Sequence, residues 1–146
     1  MKTLIIYKSV HHMNTEKVAN AMAEAMGAKL ARPEEVSPGS LAEYDLIGFG
    51  SGIYFGRHHK AIRAFVDNLP ATNKEAFVFS TSGARRDMNG NLKNRLKDKG
   101  FRIKGAFTCR GFDTFGLLLL IGGLQKGHPD AKDLADARAF AKSLLK

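Results

Sequence analysis

The chain reads as a three-layer α/β sandwich, a parallel sheet covered by helices on both faces. Three observations predict it. Short apolar runs bounded by turn residues recur along the 146 residues, as buried strands do. Segments with apolar residues at helical spacing separate those runs. A chain of this length can also bury roughly two-thirds of its unfolded surface, enough for one core and one domain over 1–146. Strands alternating with helices give a parallel sheet, and right-handed crossovers place helices on both of its faces.

Each element has its own signature. KTLIIYKS (2–9) is a buried strand. Val18, Met22, Ala25 and Met26 make one face of a helix over 15–26, which Asn14 can cap and Gly27 can end. AKLAR (28–32) is a weak strand, and YDLIGFGS (44–51) a strong one. The slot between them, 32–43, is too short or irregular for a regular helix. Ile62, Phe65, Val66 and Leu69 mark an amphipathic helix over 58–69, stopped by Pro70. EAFVFSTSG (75–83) is a strand. Leu92 and Leu96 share a face of a helix over 88–99, and Gly100 stops it. FRIKGAFTCRG (101–111) alternates in character, as an edge strand does. A last helix over 130–145 turns Leu134, Ala137, Ala141 and Leu144 inward.

Composition narrows the class. Hydrophobic residues are 44% and charged residues 25%, a globular balance. The single cysteine, Cys109, excludes an internal disulfide framework and reads as a small buried hydrophobe. No secretory signal is evident, and the greasiest run, GLLLLIGGL (116–124), is far shorter than a membrane span. A cytoplasmic protein is expected. The net charge of +9 is uneven, with +7 of it in residues 85–110. Such a patch suits an anionic partner or is simply a solvated face.

Ligands of such folds bind beyond the carboxyl ends of the strands. In the first of those loops Ser9, Asn14 and Thr15 stand at a strand-to-helix turn, where free backbone N–H groups favour an anion. His11 and His12 can add donors. A phosphate monoester suits that loop, and an ordinary capping turn with solvated histidines is the alternative. Neither His11–His12 nor His58–His59 has metal-ligand spacing, so no metal is expected. In the second loop, GSGIYFGRHHK (50–60), Gly52 and Gly56 bracket Ile53, Tyr54 and Phe55. Aromatics at a loop tip either cover something flat and apolar or tuck into the core. In the third, Ser80, Thr81, Ser82 and Gly83 can read the polar edge of a heterocycle.

The segments YKSVHHMNTEKVA, GSGIYFGRHHKAIRAFVDNL and STSG…CRGFDTFG…GGLQKGHPD together resemble the flavodoxin family over essentially the whole chain. The resemblance implies a flavodoxin-like sandwich with a five-stranded parallel sheet of order 2-1-3-4-5 and non-covalent FMN. It places Ser9, His11, His12, Met13, Asn14 and Thr15 on the phosphate. Ser51, Gly52, Ile53, Tyr54, Phe55 and Gly56 would cover one face of the isoalloxazine, with Tyr54 or Phe55 stacking. Thr81, Ser82 and Gly83 would line its pyrimidine edge, and Arg110 and Asp113 would approach from the other side.

The function implied is electron transfer to a redox partner protein, an acidic one given the basic chain. One alternative is an FMN-dependent oxidoreductase, of quinone-reductase or protoporphyrinogen-oxidase type, taking a quinone or a nicotinamide cofactor. There Arg85 and Arg86 could dock an anionic substrate. A second alternative is a flavin-free basic module that binds a polyanion. No nucleic-acid motif is present, so no specific nucleic-acid partner is expected. Positive charge near the flavin also predicts a less negative reduction potential. One charge about 8 Å away contributes roughly 2 kcal/mol at an effective dielectric near 20.

Overall fold

A computed structural model describes residues 1–10, 14–82, 87–110 and 129–145, with only the backbone of Arg110. The order is β1 (Thr3–Lys8), α1 (Asn14–Met26), β2 (Lys29–Ala31), β3 (Leu46–Tyr54), β4 (Arg57–His58), α2 (Lys60–Asp67), β5 (Glu75–Ser82), α3 (Gly90–Asp98), β6 (Arg102–Arg110) and α4 (Ala131–Ser143). The irregular slot before β3 holds two 3-10 turns, Pro33–Glu35 and Pro38–Glu43. Each opens on a proline, which fixes φ for the first turn but cannot sit inside a longer helix.

The sheet order is β2-β1-β3-β5-β6, with β4 paired to β3 alone. Apart from that short arm this is the expected 2-1-3-4-5 arrangement, and every pair on the main path is parallel. β6 is an edge strand, as its alternation predicts.

Side chains alternate along the strands and so divide the core in two. Leu4, Ile6, Ile47, Phe49, Ala76 and Val78 pack with Ile62, Val66, Leu92 and Leu96 of α2 and α3. Ile5, Tyr7, Phe77, Phe79 and Cys109 pack with Val18 and Met22 of α1 and Ala137 and Ala141 of α4. Gly48 and Gly50 make room on that second side. A Cβ at either would stand inside the ring of Phe77 or Phe79 on the neighbouring strand.

The helix ends follow the sequence closely. α1 includes Asn14 as its first residue, and Gly27 follows it with φ of 65°. Asp130 caps α4 by accepting from the Asp133 N–H at 2.9 Å, while the Asp133 carboxylate accepts from the Asp130 N–H at 2.9 Å. Among the described residues no helix is long and apolar enough to cross a membrane. The run 116–124 lies outside them.

Candidate functional site

The carboxyl ends of β1, β3 and β5 meet at one edge of the sheet, and three connected structures stand there. The first is the turn into α1. The Glu16 N–H donates to Ser9 Oγ at 3.2 Å, which draws the end of β1 onto the first turn of the helix. The Thr15 and Thr81 hydroxyls share a buried hydrogen bond of 2.8 Å, which clasps the start of α1 to the end of β5. The Thr81 hydroxyl thus faces α1.

The second structure is a hairpin. β3 does not stop at Ser51 but runs to Tyr54, where the chain turns and returns as β4. Ile53 pairs with His58 and Tyr54 with Arg57, which leaves Phe55 and Gly56 as a two-residue turn. Their φ angles are 53° and 81°. Two positive values make the primed turn that matches strand twist, a place suited to Asn-Gly. A phenylalanine there is strained, and its side chain is 91% exposed.

The base of the hairpin is held rigidly. Ser51, fully buried, donates to the Gly52 carbonyl at 2.6 Å and accepts from the His59 N–H at 2.9 Å. His59 Nδ1 accepts from the Ala61 N–H at 2.9 Å and so caps α2. The Tyr54 ring meets the His59 ring edge-on, with centroids 5.4 Å apart. Tyr54 also lies over Gly52, where an added Cβ would stand 3.2 Å from its hydroxyl. His58 points inward, is 1% exposed, and donates from Nε2 to the Phe79 carbonyl at 2.9 Å. Burial drives its pKa down to about 4, against smaller upward pulls from the Phe79 carbonyl and Asp87. Burial also lowers the pKa of His59, helped by Lys8, Arg63 and Lys60.

The third structure is a polar cluster between β5, β6 and the residues that lead into α3. Asp87 Oδ1 accepts from both the N–H and the Nδ2 of Asn89 at 2.9 Å. Asn89 Nδ2 also reaches Thr108 Oγ1 at 2.9 Å, and Thr108 approaches Ser80 at 3.4 Å. Among the described residues the buried His58 Nδ1 and Asn89 Oδ1 have no partner.

Of the residues predicted to hold a ligand, Ser9, Asn14, Thr15, Ser51–Gly56, Thr81 and Ser82 gather along this edge. His11, His12, Met13, Gly83 and Asp113 lie outside the described residues, as do Arg85 and Arg86. Arg110 ends β6 opposite Ser82. His58, Asp87, Asn89 and Thr108 were not predicted as site residues. The one sequence signal for them is a polar residue on the inward beat of a strand, as at Ser80 and Thr108.

The Flavodoxin domain family model matches residues 4–114. The chain belongs to the flavodoxin family. An uncharacterized protein of Methanocaldococcus jannaschii is 50% identical over 149 residues, covering 100% of this chain and 99% of its own length. A flavodoxin from the domain Archaea is similar in structure, with a TM-score of 0.75 at 15% identity over 99% of this chain and 96% of that one. Oxidised Flavodoxin 2 from Bacillus cereus has a TM-score of 0.74 at 19% identity, covering 99% and 98%. FMN is the cofactor of this flavodoxin-family chain. The donor chemistry at the edge fits it. Ser9 and the helix N–H groups at the start of α1 suit a phosphate, and the exposed aromatic of Phe55 at the hairpin tip suits a flat ring.

Proposed function

We propose that this protein is a single-domain cytoplasmic electron carrier with FMN at the edge of the sheet formed by β1, β3 and β5. In this reading Ser9, Asn14 and Thr15, with His11, His12 and Met13, hold the phosphate. Residues 51–56 cover one face of the ring, and Thr81, Ser82 and Gly83 meet its polar edge, with Arg110 and Asp113 opposite.

FMN supplies the redox chemistry when bound, accepting and releasing electrons. The chain's residues position it and set the charge around it. The Thr15–Thr81 clasp fixes the phosphate turn relative to β5. Ser51, His58 and His59 hold the hairpin so that its tip keeps one distance from the sheet. Gly56, with open space around its Cα, lets the backbone of the turn approach a flat ring closely.

His58 is buried and its Nε2 proton is committed to Phe79, so its part is to hold the hairpin. The observation that carries the reading is the flavodoxin-family match over residues 4–114, with the exposed Phe55 at the hairpin tip and the start of α1 at one end of the sheet. A potentiometric titration of the FMN-loaded protein tests it. Two separated one-electron steps are expected. A single two-electron step, with steady turnover of a quinone or nicotinamide cofactor, would favour the oxidoreductase reading.

A further inference from the structure

We propose that the cationic rim around the 53–58 hairpin is the docking surface for an acidic redox protein. The proposal rests on the carrier reading and adds the partner's charge and the place where it binds.

Five cations from four elements define the rim. Lys8 ends β1 beside Ser51 of β3. Arg57 lies exposed on the returning arm of the hairpin, and Lys60 lies exposed at the first residue of α2. Arg63, one turn further, donates from Nε to the His58 carbonyl at 3.0 Å. Arg95 approaches from α3. These charges act on one another. Burial lowers the pKa of Arg63, and Arg57 and Arg95 lower it further, with Asp67 pulling the other way. Asp67 is itself ion-paired to Arg95.

Arg63 and Arg95 have partners within the fold, but Arg57 and Lys60 add charge that the helix itself disfavours. The N-terminus of a helix carries partial positive charge and favours acids. The first turn of α2 has no acidic residue and opens on Lys60. Lys60 and its neighbour Arg57 therefore stand at the positive end of α2 with no acid in its first turn, beside an aromatic tip that is 91% exposed and held at positive φ, while Arg95 is paired with Asp67 at the far end of the helix. An apolar centre ringed by one sign of charge is the layout of a protein interface, and its complement is an apolar patch ringed by carboxylates. Complementary fields of this kind speed encounter and orient it, which is what a carrier needs from a partner it must also release.

Two forms of one haem protein make the test. Native cytochrome c is basic, and succinylation of its lysines makes it acidic without changing the haem. The FMN-loaded protein is titrated with each form at low ionic strength, and binding is measured directly. The succinylated form is expected to bind at least tenfold more tightly, with the difference vanishing at high salt. A double variant Arg57→Glu/Lys60→Glu should lose at least tenfold of that binding. The variant Lys29→Glu/Lys142→Glu makes an equal change in net charge toward the amino ends of the strands, away from the hairpin, and should lose about threefold or less. Retained flavin absorbance checks that each variant is folded. If the first variant loses flavin, Arg57→Gln and Lys60→Gln singly take its place.

Equal losses in the two double variants would show a general charge effect and overturn the proposal, as would absence of binding to succinylated cytochrome c. Tighter capture of phosphatidylserine vesicles through Arg57 and Lys60 would overturn the assignment to a protein partner. Electron delivery to the ferric haem is scored separately, with the protein-bound FMN first reduced by dithionite and the excess dithionite removed. Tight, rim-dependent binding without haem reduction would contradict the carrier reading and leave the docking surface standing. Haem reduction without rim dependence would do the reverse.

Discussion

His58 donates its Nε2 proton to the carbonyl oxygen of Phe79 across 2.9 Å, and this bond fastens the short arm of the hairpin to the central strand β5. The imidazole must stay neutral to be buried there, which makes the hairpin sensitive to acid.

The sign follows from the shift. The folded pKa of about 4 lies below the ordinary value of 6.5, so between those values the unfolded chain binds the extra proton. Stability is then complete above about pH 6.5 and falls by up to ~1.4 kcal/mol per unit as pH drops toward 4. The whole contribution is about 3 kcal/mol. Urea midpoints measured from pH 7 to pH 4 should show this slope, and His58→Gln should flatten it while lowering stability at pH 7.

Phe55 combines strain with exposure. Its left-handed backbone costs about 1–2 kcal/mol, and a glycine there would relieve that while adding ~0.5–1 kcal/mol of chain entropy to be lost on folding. Phe55→Gly should therefore stabilise the flavin-free protein slightly, by about 0.5 kcal/mol, and weaken FMN binding roughly tenfold or more. Thermal unfolding and a fluorescence titration with FMN measure the two effects. Unchanged FMN affinity would remove Phe55 from the ring cover.

The clasp between Thr15 and Thr81 predicts non-additivity. Replacing one partner leaves the other hydroxyl buried and unpaired, at a cost of about 1–3 kcal/mol. Thr81→Val and Thr15→Val should each destabilise by that amount, and the double variant by clearly less than their sum. A denaturant double-mutant cycle gives the coupling.

At Gly50 the expected cost is steric. Gly50→Ala would push a methyl into the Phe79 ring between two paired strands, costing about 1–3 kcal/mol or more. Gly39→Ala, with open space around its Cβ, should be near neutral and serves as the control.

The strand order was an implication of the resemblance to the flavodoxin family, whereas the layers and the alternation of strands with helices were legible in the sequence because hydrophobic periodicity carries that information directly. The hairpin was not. Its glycines read as loop, and a primed turn is signalled by Asn-Gly or Asp-Gly, whereas here the first position is Phe55. The polar cluster of Asp87, Asn89 and Thr108 was hidden for another reason. Each residue alone is an ordinary turn or strand residue, and they meet only because the chain leading into α3 passes the end of β6, where Asn89 reaches Thr108. The cationic rim was half visible. Charge counting pointed to residues 85–110, whereas the rim draws Lys8, Arg57, Lys60 and Arg63 from outside that segment and Arg95 from within it.

That this edge of the sheet holds FMN is tested most directly by the visible spectrum of the purified protein after FMN is added and the excess removed. Flavin absorbance at about one FMN per chain, released on denaturation, is the expected result. A protein that stays colourless after reconstitution, while circular dichroism shows it folded, would contradict the account.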